Sequence, residues 1–286
     1  MKKYLVLFFG SVLLLFSAKA QEQASSLLWE ISGNGLNGPS YVFGTFHLMC
    51  RDDFSLSPIL LEKIKSSKAF YGELKMDDAD LQAKMMGQMQ LNGSQLSDYV
   101  SAADLVAMNS SFQQITGFPL SMFHAFKPFL SMSLLAINSL PCENRVQPEQ
   151  EFLTAALQLK LAVFGLETVE DEMAAINKEP IDSQVLALKK VLLNFDSVKL
   201  VMQQLTKVYL KRNTDSIYAF MKETDTDMSF ENALLSERNK KWLPVMVQAM
   251  KENPVFFAVG AGHLGGEEGV LALLRSGGYQ LKPVAF

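Results

Sequence analysis

The sequence is poor in cysteine and histidine, with two and three of them among 286 residues. The two cysteines, Cys50 and Cys142, form no C-x-x-C pair, so the usual zinc-finger spacing is absent. The sequence also lacks the G-x-S-x-G turn of serine hydrolases and the H-E-x-x-H helix of zincins. Any catalytic site must therefore use another arrangement of residues.

The chain has no excess of positive charge, since 26 Lys and Arg residues stand against 30 Asp and Glu residues. The first twenty residues contain three of the lysines and no acidic residue, so the remaining chain has a net charge of −7. An acidic chain without a basic block is not expected to bind nucleic acid or an anionic membrane surface.

Long apolar runs are absent apart from one at the N-terminus, over residues 4–16. This run is shorter than the roughly 20 residues that a bilayer span requires. It follows Lys2 and Lys3 and precedes Ala18-Lys19-Ala20, which predicts a signal peptide over residues 1–20 that is cleaved after Ala20. No cysteine lies near that point to carry a lipid anchor. We therefore expect a periplasmic or secreted protein with no membrane span after cleavage.

In an oxidising compartment, a lone pair of cysteines favours a disulfide. Cys50 and Cys142 are the candidate pair, while two buried free thiols or two metal-binding thiolates remain as alternatives. Because Cys50 is three residues after His47, a bridge would tie the loop beside this histidine to the helical middle of the chain.

Strand patterns lie mainly towards the two ends of the chain, and the middle is helical. The pattern predicts an α/β domain over residues 21–286, with a mixed, largely parallel central sheet formed by the N- and C-terminal parts. A helical insertion or cap is expected over about 77–160, and long helices over about 183–251. The predicted strands are 27–32, 41–46, 69–74, 161–166, 255–260 and 279–284, with short helices at 57–66 and 267–275.

Two of the three histidines share one local context. His47 ends the sequence Gly44-Thr-Phe-His47, and His263 ends Gly260-Ala-Gly-His263, each just after a predicted strand. Glycine at such a position allows a sharp turn or a close approach of the backbone to a ligand. The third histidine, His124, lacks this context, and we interpret it as a helix-face residue or one that lies behind the site.

Glu73 and Glu167 also fall at or near the ends of predicted strands. The carboxyl ends of parallel strands meet at one edge of a sheet, where ligands commonly bind. Two imidazoles with one or two carboxylates suit zinc, manganese, cobalt or iron(II), and such an ion could polarise a carbonyl group. The alternative for each of these residues is an ordinary hydrogen-bonded or surface position.

At these residues the sequence resembles the TraB/GumN family, which includes the animal TIKI proteins. The resemblance extends over about residues 27–284, with departures from the family pattern at Lys75 and Glu149. The matching pieces, in order, are Gly44-Thr-Phe-His47, Glu73-Leu74, Lys127-Pro128-Phe129, Gly165-Leu-Glu-Thr168, Glu237-Arg-Asn239, Gly260-Ala-Gly-His263, the run that begins at Gly269, and Gly278-Tyr279.

The resemblance implies a fold related to the erythromycin esterase and ChaN-like group, and a divalent metal held by His47, His263 and Glu73. TIKI proteins are described as manganese- or cobalt-dependent proteases, which implies a hydrolase that acts on peptides or other amides. In this interpretation Glu73, Glu167 and Arg238 are catalytic, and Arg238 and Asn239 contact the substrate.

Two other functions remain open at this stage. One is a periplasmic protein that binds a metal complex, haem or a peptide without turnover. The other is an adaptor whose helical cap docks a partner. The substrate, the metal and the oligomeric state are not predicted.

Overall fold

The computed structural model describes residues 25–224 and 232–286. The predicted signal peptide, residues 1–20, lies outside these ranges and stays a prediction. Within them, no helix combines the length and the apolar character needed to cross a membrane.

A six-stranded mixed sheet forms the centre of the molecule, with the order β6-β4-β7-β2-β1-β8. The strands β6, β4, β7 and β2 are parallel to one another, while β1 is antiparallel to both β2 and β8. A separate two-stranded sheet pairs β3 with β5. The strands are β1 (Leu28–Ser32), β2 (Ser40–Thr45), β3 (Met49–Cys50), β4 (Ala69–Gly72), β5 (Arg145–Val146), β6 (Ala162–Gly165), β7 (Val255–Gly260) and β8 (Gln280–Val284).

Helices cover both faces of the sheet and build the middle of the chain. A short π-helical turn, Asn232–Ser236, leads directly into the helix that begins at Glu237. The helices are α1 (Pro58–Ser66), α2 (Leu81–Gln88), α3 (Ala102–Thr116), α4 (Pro128–Ser139), α5 (Pro148–Gln158), α6 (Val169–Ile176), α7 (Ile181–Leu193), α8 (Phe195–Leu210), α9 (Thr214–Thr224), α10 (Glu237–Glu252) and α11 (Val270–Ser276).

The α/β class with a largely parallel sheet is confirmed. Every residue of β7 is buried, because successive side chains enter different cores on the two faces of the sheet. On one face, Phe256 packs against Phe152 of α5, with ring centroids 5.4 Å apart. On the other face, Phe257 shares a core with Trp242 of α10 and Leu274 of α11. Burial on both faces explains the continuous apolar run at this strand.

The helical middle has a core of its own. Phe112 of α3, Leu135 of α4 and Leu188 of α7 are fully or almost fully buried and belong to one apolar cluster, apart from the two sheet cores. By contrast α5, which falls within the predicted insertion of 77–160, packs on the sheet. The limits predicted for the insertion stay a prediction.

The position of β7 depends on packing between distant segments. The strands β2 and β4, joined through α1, have the same direction, but β7 lies between them and pairs with both. The residue pattern of a strand–helix–strand unit does not show that a strand from the C-terminal part of the chain takes the place between its two strands.

A disulfide joins the two cysteines, Cys50 and Cys142, whose Cα atoms are 5.8 Å apart. It links the short strand β3, just after His47, to the segment that follows α4. The pairing of β3 with β5 holds the same two segments together. The loop after His47 is therefore joined to the helical middle of the chain both by a disulfide and by a strand pairing.

Candidate functional site

The four predicted residues that follow strands gather at the carboxyl edge of the sheet. His47 follows β2, Glu73 follows β4, Glu167 follows β6 and His263 follows β7. These four strands are neighbours in the sheet and share one direction, so their ends meet. The edge opens into a cavity of about 550 Å³, and both histidines and Glu73 line it.

His47 is held by a carboxylate that comes from another element. Its Nδ1 lies 2.6 Å from Oε1 of Glu149, which also accepts a hydrogen bond of 2.6 Å from the hydroxyl of Thr45. Since a carboxylate can only accept, Nδ1 carries the proton and Nε2 is left available to the cavity. Glu149 lies in the first turn of α5, where its negative charge also suits the helix N-terminus.

His263 is held by an amide instead. Its Nδ1 lies 2.7 Å from Oδ1 of Asn239, while Nδ2 of Asn239 donates to the carbonyl oxygens of His263 and Glu268. The amide is thereby oriented with its oxygen towards the ring, so Nδ1 of His263 donates and Nε2 keeps its lone pair. The indole of Trp242 packs on the ring with centroids 4.2 Å apart.

Glu73 lies between the two histidines and is fixed at both oxygens. Oε1 accepts a hydrogen bond of 2.7 Å from the N–H of Gly260, and Oε2 lies 2.6 Å from Arg238 and 4.0 Å from Nε2 of His263. Burial alone raises the pKa of Glu73, but the electrostatic interactions with His263, His47 and Arg238 outweigh it and lower the pKa to about 2. Glu73 is therefore a carboxylate at neutral pH.

The absence of a side chain at Gly260 keeps space open between these groups. A Cβ atom there would stand 3.2 Å from Oε1 of Glu73 and 3.3 Å from Nε2 of His47. At Gly44 the lack of a side chain allows close packing, because a Cβ atom there would meet Leu264 at 2.8 Å and Ala261 at 3.1 Å. The first glycine of each G-x-x-H sequence thus serves the site, one by leaving room and one by allowing close packing.

The surroundings drive the two histidines towards opposite charge states. The bulk of protein around the cavity lowers the pKa of His47 even though its side chain is accessible to water, but the hydrogen bond and charge of Glu149 raise it more, to about 9. Burial lowers the pKa of His263 to about 3, and the charge of Arg238 acts in the same direction. Binding of a metal through Nε2 would therefore release a proton from His47 and none from His263.

Arg238 occupies the centre of the buried charges. Its Nε donates to Glu167, its NH1 group to the carbonyl of Leu234 and to Nε2 of His263, and its NH2 group to Glu73 and Glu167. A guanidinium has five N–H donors, and all five have partners here. No N–H group of Arg238 is left free in this arrangement, and the residue holds the two glutamates in place. The substrate contact predicted for Arg238 stays a prediction.

Two other predicted site residues lie behind the cavity. Asn239 is buried, does not line the cavity and holds the ring of His263, and its predicted substrate contact stays a prediction. Glu167 is also buried and approaches the cavity through its pair with Arg238. His124 lies outside this group, directly after the short helical turn Leu120–Phe123.

Two residues of the site were not assigned a role from the sequence. Glu149 was noted only as a departure from a family pattern, although it orients His47. Glu172 of α6 lines the cavity, and its buried Oε2 has no hydrogen-bond partner among the described residues. Burial raises the pKa of Glu172 to about 7. The run Glu170-Asp171-Glu172 contains no signal that separates the third acid from the first two.

The donors fit a divalent metal in kind. Two imidazoles oriented through Nδ1 and one carboxylate face the same cavity, next to the space above Gly260. A metal bound to Nε2 of His263 would displace the hydrogen bond that this atom accepts from Arg238. Among residues 25–224 and 232–286, however, no three such side chains already stand as a ready metal-binding group. In this arrangement the guanidinium of Arg238 supplies the positive charge that the carboxylates require.

Comparisons with known proteins show which family the chain resembles. The profile of the TraB/PrgY/gumN family matches residues 27–283. The chain is also similar to the protein named "Metalloprotease TIKI2" of Xenopus tropicalis, with 22% identity over 320 aligned positions. That alignment covers 92% of this chain but only 61% of TIKI2. No solved structure matches the chain.

Proposed function

Because this chain belongs to the TraB/PrgY/gumN family, we propose that it is a metal-dependent hydrolase of amide bonds, with His47, Glu73 and His263 as the metal ligands. One observation carries the proposal. Two histidines more than two hundred residues apart line a single cavity beside the same glutamate, and each is oriented through Nδ1. A metal would replace the proton on Nε2 of His47 and the hydrogen bond that Nε2 of His263 accepts from Arg238.

The chemistry divides between the ion and the protein. A bound manganese, cobalt, zinc or iron ion would supply a Lewis acid that polarises the amide carbonyl. Glu149 and Asn239 orient the two imidazoles, and Arg238 fixes Glu73 and keeps it ionised. Glu172, a cavity carboxyl whose pKa is close to neutrality, is the group best suited to carry a proton during the reaction.

The proposed location is outside the cytoplasm. The predicted signal peptide would deliver the chain there, and an oxidising compartment permits the bridge between Cys50 and Cys142. The relative TIKI2 is named a metalloprotease, which supports hydrolysis of peptide or related amide bonds.

The test is metal content together with turnover. Wild-type protein and the variants His47→Ala and His263→Ala are purified without chelator, and bound manganese, cobalt, zinc and iron are measured by mass spectrometry. We expect a stoichiometric ion in the wild type, its loss in both variants, and unchanged circular dichroism. His124→Ala serves as the matched control, because this histidine lies outside the site. Equal metal content in all four proteins would contradict the ligand assignment.

A second function is favoured by one observation, the neutralisation of Glu73 and Glu167 by Arg238 before any metal binds. A protein with this arrangement could bind a metal complex, haem or a peptide without turnover. Cleavage of quenched peptides and acyl amides distinguishes the two functions. Retention of a ligand with no hydrolysis across such substrates would favour the binding protein.

A further inference from the structure

The cavity at the sheet edge has two unlike ends. Its charged lining residues, His47, Glu73, Glu172, Arg238 and His263, interact with one another at or beside the carboxyl ends of the strands. The rest of the wall comes mainly from the helices and is apolar. Six of its side chains are Phe129, Ile137, Met202, Leu205, Met221 and Leu234.

The apolar wall belongs to helices, which decides what can lie along it. The main-chain groups inside α4, α8 and α9 are bonded within their own helices. The side-chain hydroxyl of Ser133, which also lines the cavity, already donates to the carbonyl oxygen of Phe129. A peptide strand along this wall would leave its own N–H and C=O groups buried without hydrogen-bond partners, which is unfavourable.

A hydrocarbon chain has no such groups to satisfy. Flexible methionine side chains, here Met202 and Met221, adapt to a linear aliphatic ligand. The volume of about 550 Å³ falls within the range of small-molecule sites, and it exceeds what the side chain of one amino acid requires. The geometry therefore favours a ligand whose polar group meets the sheet edge and whose apolar tail extends between the helices.

We infer that the cavity binds a linear acyl chain, so that the substrates are N-acyl amides whose carbonyl group lies at the sheet edge. The choice of bond rests on the proposed function, whereas binding of the acyl chain does not. In the reaction, water adds to the acyl carbon and the C–N bond breaks. The nitrogen leaves with a proton as the amine, and the acyl group leaves as a carboxylic acid.

Binding is tested with N-acetylglycine, N-octanoylglycine and N-dodecanoylglycine, titrated calorimetrically into the full protein below their micelle concentrations. Burial of each methylene contributes about 0.8 kcal/mol, or roughly a fourfold change in affinity. We expect N-dodecanoylglycine to bind at least tenfold more tightly than N-octanoylglycine, and N-acetylglycine to bind weakest. Equal affinities for the three compounds would overturn the inference, as would equally tight binding of a leucine-rich peptide.

A cavity variant locates the binding site. Ala136 of α4 lines the cavity, so Ala136→Trp should weaken binding of N-dodecanoylglycine at least tenfold. Ala136→Leu is the milder variant if the tryptophan disturbs folding, and it should weaken binding in the same direction. Ala107→Trp, at an exposed position of α3 that does not line this cavity, is the control. Undiminished affinity in both well-folded Ala136 variants would place the acyl chain elsewhere and overturn the inference.

Release of glycine from the same three compounds, measured with added Mn²⁺, separates this inference from the proposed function. Binding that depends on chain length, without glycine release, supports the acyl site and contradicts the hydrolase. Hydrolysis at rates that do not depend on chain length supports the hydrolase and contradicts the acyl site.

Discussion

The two histidines of the site follow the same G-x-x-H sequence but stand in contrasting surroundings. The side chain of His47 is 72% exposed and is held by the carboxylate of Glu149. That of His263 is 4% exposed and is held by the amide of Asn239. The ring of His47 therefore lies on an accessible side of the cavity, and that of His263 lies in a densely packed core. The shared motif places both rings at strand ends, but the surroundings decide the charge and the mobility of each.

The largest effect is expected on the buried side, from Arg238→Ala. This variant leaves Glu73 and Glu167 buried without their cation, and breaking such a pair from one side costs about 3–5 kcal/mol. The free energy of unfolding in urea measures the loss. Lys240 lies on the same helix as Arg238 and forms an exposed pair with Glu268, so Lys240→Ala should change stability far less than Arg238→Ala. Equal effects of the two variants would remove the contrast between buried and exposed charges.

The next largest effect belongs to the accessible side, where the disulfide secures the loop after His47. Cys50→Ser combined with Cys142→Ser opens a link between residues 92 positions apart, which should cost about 2–4 kcal/mol. Thermal unfolding of the double variant, with and without reductant, measures this. Reductant should lower the unfolding temperature of the wild type and leave the double variant unchanged. A wild type insensitive to reductant after full reduction would show that the bridge contributes little.

A smaller loss is expected from Asn239→Ala on the buried side. The change leaves Nδ1 of His263 and a buried carbonyl without partners, at a cost of about 1–3 kcal/mol. Loss of a group that orients a metal-binding histidine also reduces metal affinity by about 10–100-fold. Urea unfolding and metal titration give the two numbers. Gln248→Ala, at an exposed position of α10, should leave both unchanged.

The smallest effect on stability should come from Glu149→Gln beside His47. The amide oxygen can still accept from the ring and from Thr45, so the free energy of unfolding should change by less than about 1 kcal/mol. Metal affinity should become less dependent on pH between about 7 and 9, because a neutral partner no longer holds on His47 the proton that the metal must displace. Glu151→Gln, on the same helix and paired with Arg51, is the control. A greater loss of stability than in Asn239→Ala would reverse the contrast between the two sides.

Much of the fold followed from local patterns. The apolar runs at 41–46 and 255–260 predict the strands β2 and β7 that the structure contains. The helix predicted over 57–66 is present as α1, where the hydroxyl of Ser57 accepts a hydrogen bond from the N–H of Leu60 and caps the first turn. The place of β7 between β2 and β4 could not be predicted in this way, since it depends on packing between distant segments.

The candidate site divides along the same line. His47 and His263 stood out because histidine is rare here and both follow a strand and a glycine. Glu149 and Glu172 did not, because acidic residues near the start of a helix are common on protein surfaces. The residue type of Arg238 suggests a functional role, but its five hydrogen bonds go to four residues from separate segments, Glu73, Glu167, Leu234 and His263.

The sequence alone determined which segments become strands and helices, and it placed two imidazoles and two carboxylates at strand ends, because periodicity and turn chemistry are local properties. Only the tertiary structure decided which strands are neighbours, which histidine is buried, and that helices from the middle of the chain line the cavity with apolar side chains. These features arise from contacts between residues far apart in the chain, and their energies depend on burial and on the charge of neighbours that no local pattern contains.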